Sequence, residues 1–260
     1  MIVARDHEPF WRHALRAAPG IPRFVQPRNC GTANGILLST LRIAARDRDA
    51  RIVFLPADHY VRNEAALAQA LRSAVTLLAT GAHDLLLVGV KPEAVDPELG
   101  YIVPGARHVD GTSAVAGFVE KPCAAIAQEL IARGALWNSF IFAARATALL
   151  ERMRRAHPQI VAGMEAALVR RKPRGRRSTA LDELYESLPV IDFSRQILQR
   201  AESGLGVLAA PECGWTDLGT PIRVSRALAD LRSQEETPDS TVPPAILDLS
   251  ARQIRCSPRG

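Results

Sequence analysis

No stretch of this 260-residue chain reaches the ~18 uncharged apolar residues that a membrane-spanning helix needs. The longest apolar runs, such as Asp84-Leu-Leu-Leu-Val-Gly-Val90, are strand-sized. The opening segment, Met1 to Glu8, meets charge at Arg5, Asp6 and Glu8, too soon for the apolar region of a signal peptide. Cysteine is sparse and scattered: the four residues Cys30, Cys123, Cys213 and Cys256 form no Cys-x-x-Cys pair and have no histidines at zinc spacing. Glycine-rich phosphate loops are missing too, since neither Gly-x-Gly-x-x-Gly nor a Gly-Lys-Ser/Thr element occurs. These absences argue against a membrane span, a disulfide scaffold, a zinc module and the common mononucleotide and dinucleotide folds. What is present is 47% hydrophobic residues, enough for a sizeable core. A reduced, cytoplasmic, enzyme-sized protein is expected.

Charge needs a closer look. Thirty-three Lys and Arg against 27 Asp and Glu leave a net +6. The segment Arg170-Arg-Lys-Pro-Arg-Gly-Arg-Arg177 carries six positive charges by itself, so the rest of the chain balances. A nucleic-acid-binding surface spreads its basic residues and places stacking or base-reading side chains among them. Here no aromatic interrupts the run, and Pro173 and Gly175 favour an exposed turn. A solvated loop is expected, with an anion- or RNA-contacting loop as the alternative; nucleic acid is not an expected partner on this reading.

The order of patterns places the chain in the α/β class. Strand-like runs at Arg23–Gln26, Arg51–Leu55 and Asp84–Val90 alternate with helical periodicity at Thr32–Arg46 and Glu64–Thr80. An opening strand, Ile2–Ala4, runs into a helix at Glu8–Arg16. After Lys91-Pro92, strands are expected at Gly100–Val103, Ala114–Glu120 and Leu136–Ala143, with a helix near Ala124–Arg133 and Pro-Gly or Asp-Gly turns between. Helices follow at Ala144–Ala156, Ile160–Arg170, Ala180–Ser187 and Phe193–Ala201, then a strand at Leu205–Ala209 and a helix at Thr220–Ser233. One domain is expected over residues 1–232, with residues 233–260 as a polar, proline-containing tail lacking fixed structure.

Three segments carry acceptor-binding or cation-binding chemistry. Gln26-Pro-Arg-Asn-Cys-Gly-Thr-Ala33 follows a strand and opens a helix, where unpaired N–H groups can meet an acceptor-rich ligand. The alternative is an ordinary turn with Thr32 as helix cap. Leu55-Pro-Ala-Asp-His59 ends a buried strand, the position at which open α/β sheets bind ligands. Asp58 there suits Mg²⁺, which takes hard oxygen donors, or it merely caps a loop. His59 reads as a packing or supporting residue. Cys213-Gly-Trp-Thr-Asp-Leu-Gly-Thr220 places Asp217 similarly, so Asp58 and Asp217 could share one Mg²⁺. Between them lie Gly100-Tyr101, Phe118-Val-Glu-Lys-Pro122 and Leu136-Trp-Asn-Ser139. Glu120 and Lys121 are strand neighbours that would point to opposite faces unless Pro122 breaks the alternation.

Taken in order, these six elements resemble the sugar-1-phosphate nucleotidyltransferases, and most closely the mannose-1-phosphate guanylyltransferase group. The resemblance spans about Gln26 to Thr220 and implies a Rossmann-like, mixed but mostly parallel sheet flanked by helices. It implies transfer of a nucleotidyl group from GTP to mannose 1-phosphate, with Mg²⁺ and release of pyrophosphate. It implies that Gln26, Gly31, Thr32 and Ala33 lie on the nucleotide side. Gly100, Tyr101, Glu120 and Asn138 would contact the sugar, Lys121 its phosphate, and Asp58 and Asp217 the metal. Family members open with a strand and a Gly-rich loop bearing Arg and Lys; here Arg5, Arg12 and Arg16 stand without adjacent glycines. The fold is therefore expected to be N-terminally truncated, with sugar recognition retained and turnover by this chain low. The alternative is a non-catalytic relative that binds sugar phosphate or pairs with a complete homologue. A homo-oligomer remains open.

Overall fold

Ile2–Ala4 (β1) and Phe24–Gln26 (β2) pair in parallel around the helix Glu8–Ala14 (α1), Ile2 opposite Phe24 and Ala4 opposite Gln26. This unit is a separate two-stranded sheet. Our computed structural model of the chain describes residues 1–17, 20–170, 179–199 and 204–236. The basic run from Arg171 to Arg177, the tail beyond Glu236 and Cys256 lie outside the described residues.

Helix Thr32–Ala44 (α2) turns Ile36, Leu37, Leu38 and Leu41 into the core. Strand Arg51–Phe54 (β3) follows, then a short strand His59–Val61 (β4) and helix Glu64–Ala79 (α3), whose first turn Asn63 caps through its side chain. Leu85–Val90 (β5) is the central strand; Leu85, Leu86, Leu87 and Val88 are at most 1% exposed, as its unbroken apolar run requires. Gly100–Arg107 (β6) and Ser113–Glu120 (β7) form a hairpin, and helix Ala124–Ala132 (α4) leads to the ten-residue strand Leu136–Arg145 (β8). Helices Ala146–Ala156 (α5), Pro158–Val169 (α6) and Ala180–Ser187 (α7) precede Leu205–Ala209 (β9), Trp215–Asp217 (β10) and helix Pro221–Glu236 (α8).

The main sheet has the order β3-β8-β5-β9-β7-β6. The α/β class holds, but the pairing corrects the expectation of a mostly parallel sheet. Only β5–β9 is a parallel ladder; β3–β8, β5–β8, β6–β7, β6–β8 and β7–β9 are antiparallel. The cause is insertion: β8 enters between β3 and β5, and β7 between β9 and β6. Four strands still point one way, which is why the βαβ rhythm read as parallel.

Other boundaries move for local reasons. Pro104-Gly105 does not end β6; register shifts at Pro104 absorb it, and the turn falls at Val109-Asp110-Gly111. The helix expected at Phe193–Ala201 is a single wide turn, Ser194–Leu198, and residues 200–203 lie outside the described part. Helix α8, expected at Thr220–Ser233, runs from Pro221 to Glu236. Phe54, Phe142 and Phe193 stack in succession at 4.8 and 4.9 Å, tying the segment around Phe193 to the sheet. Among the described residues, no helix is long and apolar enough to cross a membrane.

Candidate functional site

Two unusual pieces of backbone shape one cleft. The first is the end of the β6–β7 hairpin, where Gly100 pairs with Glu120. A Cβ on Gly100 would stand 2.6 Å from Glu120 Oε2, so the side chain lies directly over the glycine. Past Glu120 the strand ends because Lys121 takes a left-handed conformation, φ +48°. The second piece is an interruption of β8. Asn138 Oδ1 accepts from Phe140 N at 3.1 Å, Phe140 adopts φ +57°, and Ser139 Oγ donates to Val88 O at 2.5 Å. The ladder with β5 shifts register at this point, and Asn138 is turned toward Ser194, Nδ2 to Oγ 3.5 Å.

A third wall comes from the antiparallel ribbon β4–β10, which sets Asp217 opposite His59 and Trp215 opposite Val61. The neighbouring Leu218 N donates to Asp58 O at 3.0 Å. The resulting cleft, about 160 Å³, is lined by His59, Glu98, Gly100, Glu120, Asn138 and Asp217, with Ser139, Phe140, Ser194 and Trp215 behind them. A larger groove of about 620 Å³ opens between α2, α5 and α6, but none of the motif residues line it. The smaller cleft is where the chemistry converges.

Three carboxylates, Glu98, Glu120 and Asp217, line it. Burial raises the Glu120 carboxyl above the usual range and Asp192 adds to this, against the opposing pull of Arg195 and Lys121. Burial lowers the His59 imidazole, against the carboxylates of Asp58 and Asp217. Trp215 Nε1, a donor only, bonds His59 Nδ1 at 3.0 Å, so that nitrogen accepts and the ring proton sits on Nε2. Lys121 Nζ lies 3.5 Å from Glu98 Oε2 at the rim, with both side chains at least half exposed.

The expected site residues divide into those gathered here and those not. Gly100, Glu120, Asn138 and Asp217 line the cleft, Asp58 is joined to its edge through Leu218, and Lys121 reaches the lining residue Glu98. Tyr101 does not face the cleft. It is fully buried, and its hydroxyl donates to Asp96 O and accepts from Asp96 N, both 3.0 Å, so it braces the loop before β6. Strand alternation turned it to the opposite face from Gly100. Gln26 is 8% exposed, accepts from the Tyr185 hydroxyl at 3.3 Å and packs on Gly35. It is a core contact away from the cleft. The α2 N-terminus is stitched to the chain near Ile191: Ala33 N donates to Ile191 O, Ile191 N to Cys30 O, and Phe193 N to Thr32 Oγ1. Gly31, not Thr32, holds the cap position, and a Cβ there would lie 2.5 Å from Ile191 O.

Sequence reading missed Glu98, Ser194, Trp215, Asp96 and Arg223. Arg223 is the most consequential. Its Nη1 lies 2.8 Å from Asp217 Oδ1 and 2.9 Å from Oδ2, and its Nη2 pairs with Asp96. Only the Oδ2 contact has hydrogen-bond geometry; Oδ1 is buried and meets the same guanidinium as an ion pair. Mg²⁺ favours one or two carboxylates, keeping waters or phosphate oxygens for its other positions. Asp217 and exposed Asp58 beside it fit that pattern in donor type and number.

Comparisons with known proteins identify the family. Over 200 residues the chain is 33% identical to the xanthan biosynthesis protein XanB of Xanthomonas campestris pv. campestris (strain B100), covering 75% of this chain and 41% of the relative. It is 30% identical to the mannose-1-phosphate guanylyltransferase ManC of Salmonella typhimurium over 204 residues, 75% of this chain and 42% of that one. The chain thus spans about two fifths of the length of these curated relatives. A solved structure described as a mannose-1-phosphate geranyltransferase from Thermus thermophilus superposes with a TM-score of 0.75 at 30% identity, covering 88% of this chain and 64% of that one. Residues 5–234 match the nucleotidyl transferase family, and the chain belongs to it.

Proposed function

We propose that the chain binds a sugar 1-phosphate in the cleft between β6, β8 and β10 and takes part in nucleotidyl transfer to it, with mannose 1-phosphate and GTP as the pair. What carries this reading is the convergence of Gly100, Glu120, Asn138 and Asp217, residues from four different strands, on one cleft. Glu120 and Asn138 offer an acceptor and a donor for sugar hydroxyls, and the absence of a side chain at Gly100 lets the Glu120 carboxylate lie over it in the cleft. Lys121 at the rim would donate to the sugar's phosphate.

In such a reaction a phosphate oxygen of the sugar 1-phosphate attacks the α-phosphorus of the triphosphate in line, and pyrophosphate leaves. The attacking phosphate is already ionised, so no side chain has to act as nucleophile or base; positioning and charge neutralisation supply the acceleration. Asp58 and Asp217 would hold Mg²⁺, which neutralises phosphate charge as the leaving group departs. His59, its proton fixed on Nε2 by Trp215, adds a neutral donor to the cleft wall.

The test is calorimetric titration of the chain with mannose 1-phosphate, alongside Glu120→Ala and Asn138→Asp. Losing a hydrogen-bonding carboxylate should weaken binding by about 1.5–3 kcal/mol, roughly ten- to a hundredfold. Unchanged affinity in both variants would remove the sugar from this cleft. Galactose 1-phosphate and glucose 1-phosphate in the same titration address the choice of sugar.

A further inference from the structure

Arg223 is the third residue of α8, where the helix dipole disfavours a cation. It is nonetheless only 13% exposed and is held between two carboxylates, Asp96 on the loop before β6 and Asp217 at the end of β10. Asp96 is itself fixed, since Tyr101 bonds both its N–H and its carbonyl and Glu98 N donates to Oδ1 at 2.9 Å. Asp217 is fixed as well, by Gly219 N at 3.1 Å and by the β4–β10 ladder. The guanidinium therefore contacts both carboxylate oxygens of Asp217, the group that a divalent cation shared with Asp58 would need.

We propose that Arg223 is a resident counter-cation of this site. It and a divalent metal exclude one another on Asp217, and Asp96 is the parking partner that keeps the guanidinium when metal arrives. This inference rests on the metal reading of Asp58 and Asp217 and goes beyond it, because it assigns the residue that sets how much metal the site requires. The physical reason is charge. With Arg223 in place, Asp217 is already neutralised at about 3 Å, and an incoming cation meets a positive group instead of a bare carboxylate. With metal bound, Arg223 would keep its Asp96 contact, so the loop before β6 stays tied to α8. A partner role confined to structure predicts a loss of stability on removal and nothing else. Exclusion predicts a gain in metal affinity.

The probe is Mn²⁺, whose free concentration is read directly by its electron paramagnetic resonance signal in the absence of any substrate. Arg223→Ala should bind Mn²⁺ about tenfold or more tightly than the unaltered chain, equivalent to ~1.4 kcal/mol. Asp96→Asn should bind it more weakly than the unaltered chain, because Arg223 then has only Asp217 to hold. Adding Asp217→Asn to Arg223→Ala should abolish the gain, which locates it. If Arg223→Ala does not fold, Arg223→Lys keeps the charge but cannot span both carboxylates, and a smaller gain in the same direction is expected. Equal, measurable binding by the unaltered chain and the Arg223 variants would overturn the exclusion while leaving the metal reading intact. No binding by any of them would overturn both.

Discussion

Gly100 and Glu120 face each other across the β6–β7 hairpin so closely that a methyl group on the first would stand 2.6 Å from a carboxylate oxygen of the second. The neighbour that must give way is the far end of a flexible side chain, not backbone. Gly100→Ala is therefore expected to fold with a melting temperature within a few degrees of the unaltered chain. Its Glu120 carboxylate, however, is pushed off the floor of the cleft. Sugar 1-phosphate affinity should fall by roughly tenfold or more, about 1.4 kcal/mol. Calorimetry and thermal melting on the same preparation check both halves. A large drop in melting temperature with unaltered affinity would mean that Gly100 serves only packing.

Asn138 has two separable tasks. Its Oδ1 holds the Phe140 N–H in a left-handed turn, and its Nδ2 faces the cleft beside Ser194. Asn138→Asp keeps the acceptor and loses the donor; Asn138→Ala loses both. The alanine variant should be destabilised by about 1–2 kcal/mol, because a half-buried N–H is left unbonded at a strained residue. The aspartate variant should lose less stability yet bind sugar phosphate as poorly as alanine does. Chemical denaturation separates the two, and equal stability losses would contradict the division of roles.

Lys121 also combines an unusual backbone with a candidate contact. At φ +48° glycine is the comfortable residue, and among the described residues Lys121 makes an exposed, 3.5 Å pairing with Glu98. Lys121→Gly should therefore leave stability unchanged or slightly raised, by up to ~1 kcal/mol. The same change should weaken sugar-phosphate binding by about 1.5–3 kcal/mol if the ammonium meets the phosphate. A stability loss with full binding retained would mark Lys121 as a structural ion-pair partner instead.

How much of this was legible in the chain depends on the range of the interaction involved. The run Leu85–Val88 announced a strand buried on both faces because burial and sequence pattern are the same fact there. Glu120 and Asp217 end their strands and Asp58 lies between two, positions that a sequence can mark, whereas Asn138 sits inside β8. The ribbon β4–β10 was invisible because each strand is three residues long and its partner lies more than 150 positions away, as the pair His59 and Asp217 shows. The left-handed turns fall on Lys121 and Phe140, where no glycine signals them. Arg223 carries no local pattern linking it to Asp96, and only the folded chain brings a loop and a helix start together. Tyr101 entered through the resemblance, within the Gly-Tyr-Ile element, and strand alternation turns it from the face of Gly100 into the core.

Acid should loosen the far side of the molecule through Asp182. Thr179 caps α7 by a reciprocal pair: its hydroxyl accepts from Asp182 N, and its own N–H and O–H donate to Asp182 Oδ2, both at 2.7 Å. Those bonds, the hydroxyl's foremost, hold the Asp182 carboxyl down at about 2, and Arg5 at 2.7 Å assists. A carboxyl depressed in the folded chain favours folding wherever it is ionised. The contribution is thus complete above the unfolded value of 3.8 and disappears as pH falls through about 2. Asp182→Asn keeps an acceptor for Thr179 but removes the charge. At pH 7 it should be less stable than the unaltered chain by about 1–2 kcal/mol. The gap should close as pH drops from about 4 to about 2, where the unaltered carboxyl gains its proton and loses the same advantage. Urea denaturation at half-unit pH steps would follow it. A gap that stayed constant over that range would place the effect of the substitution in packing, and would mean that the ionised cap contributes nothing to holding α7 against the Arg5 segment.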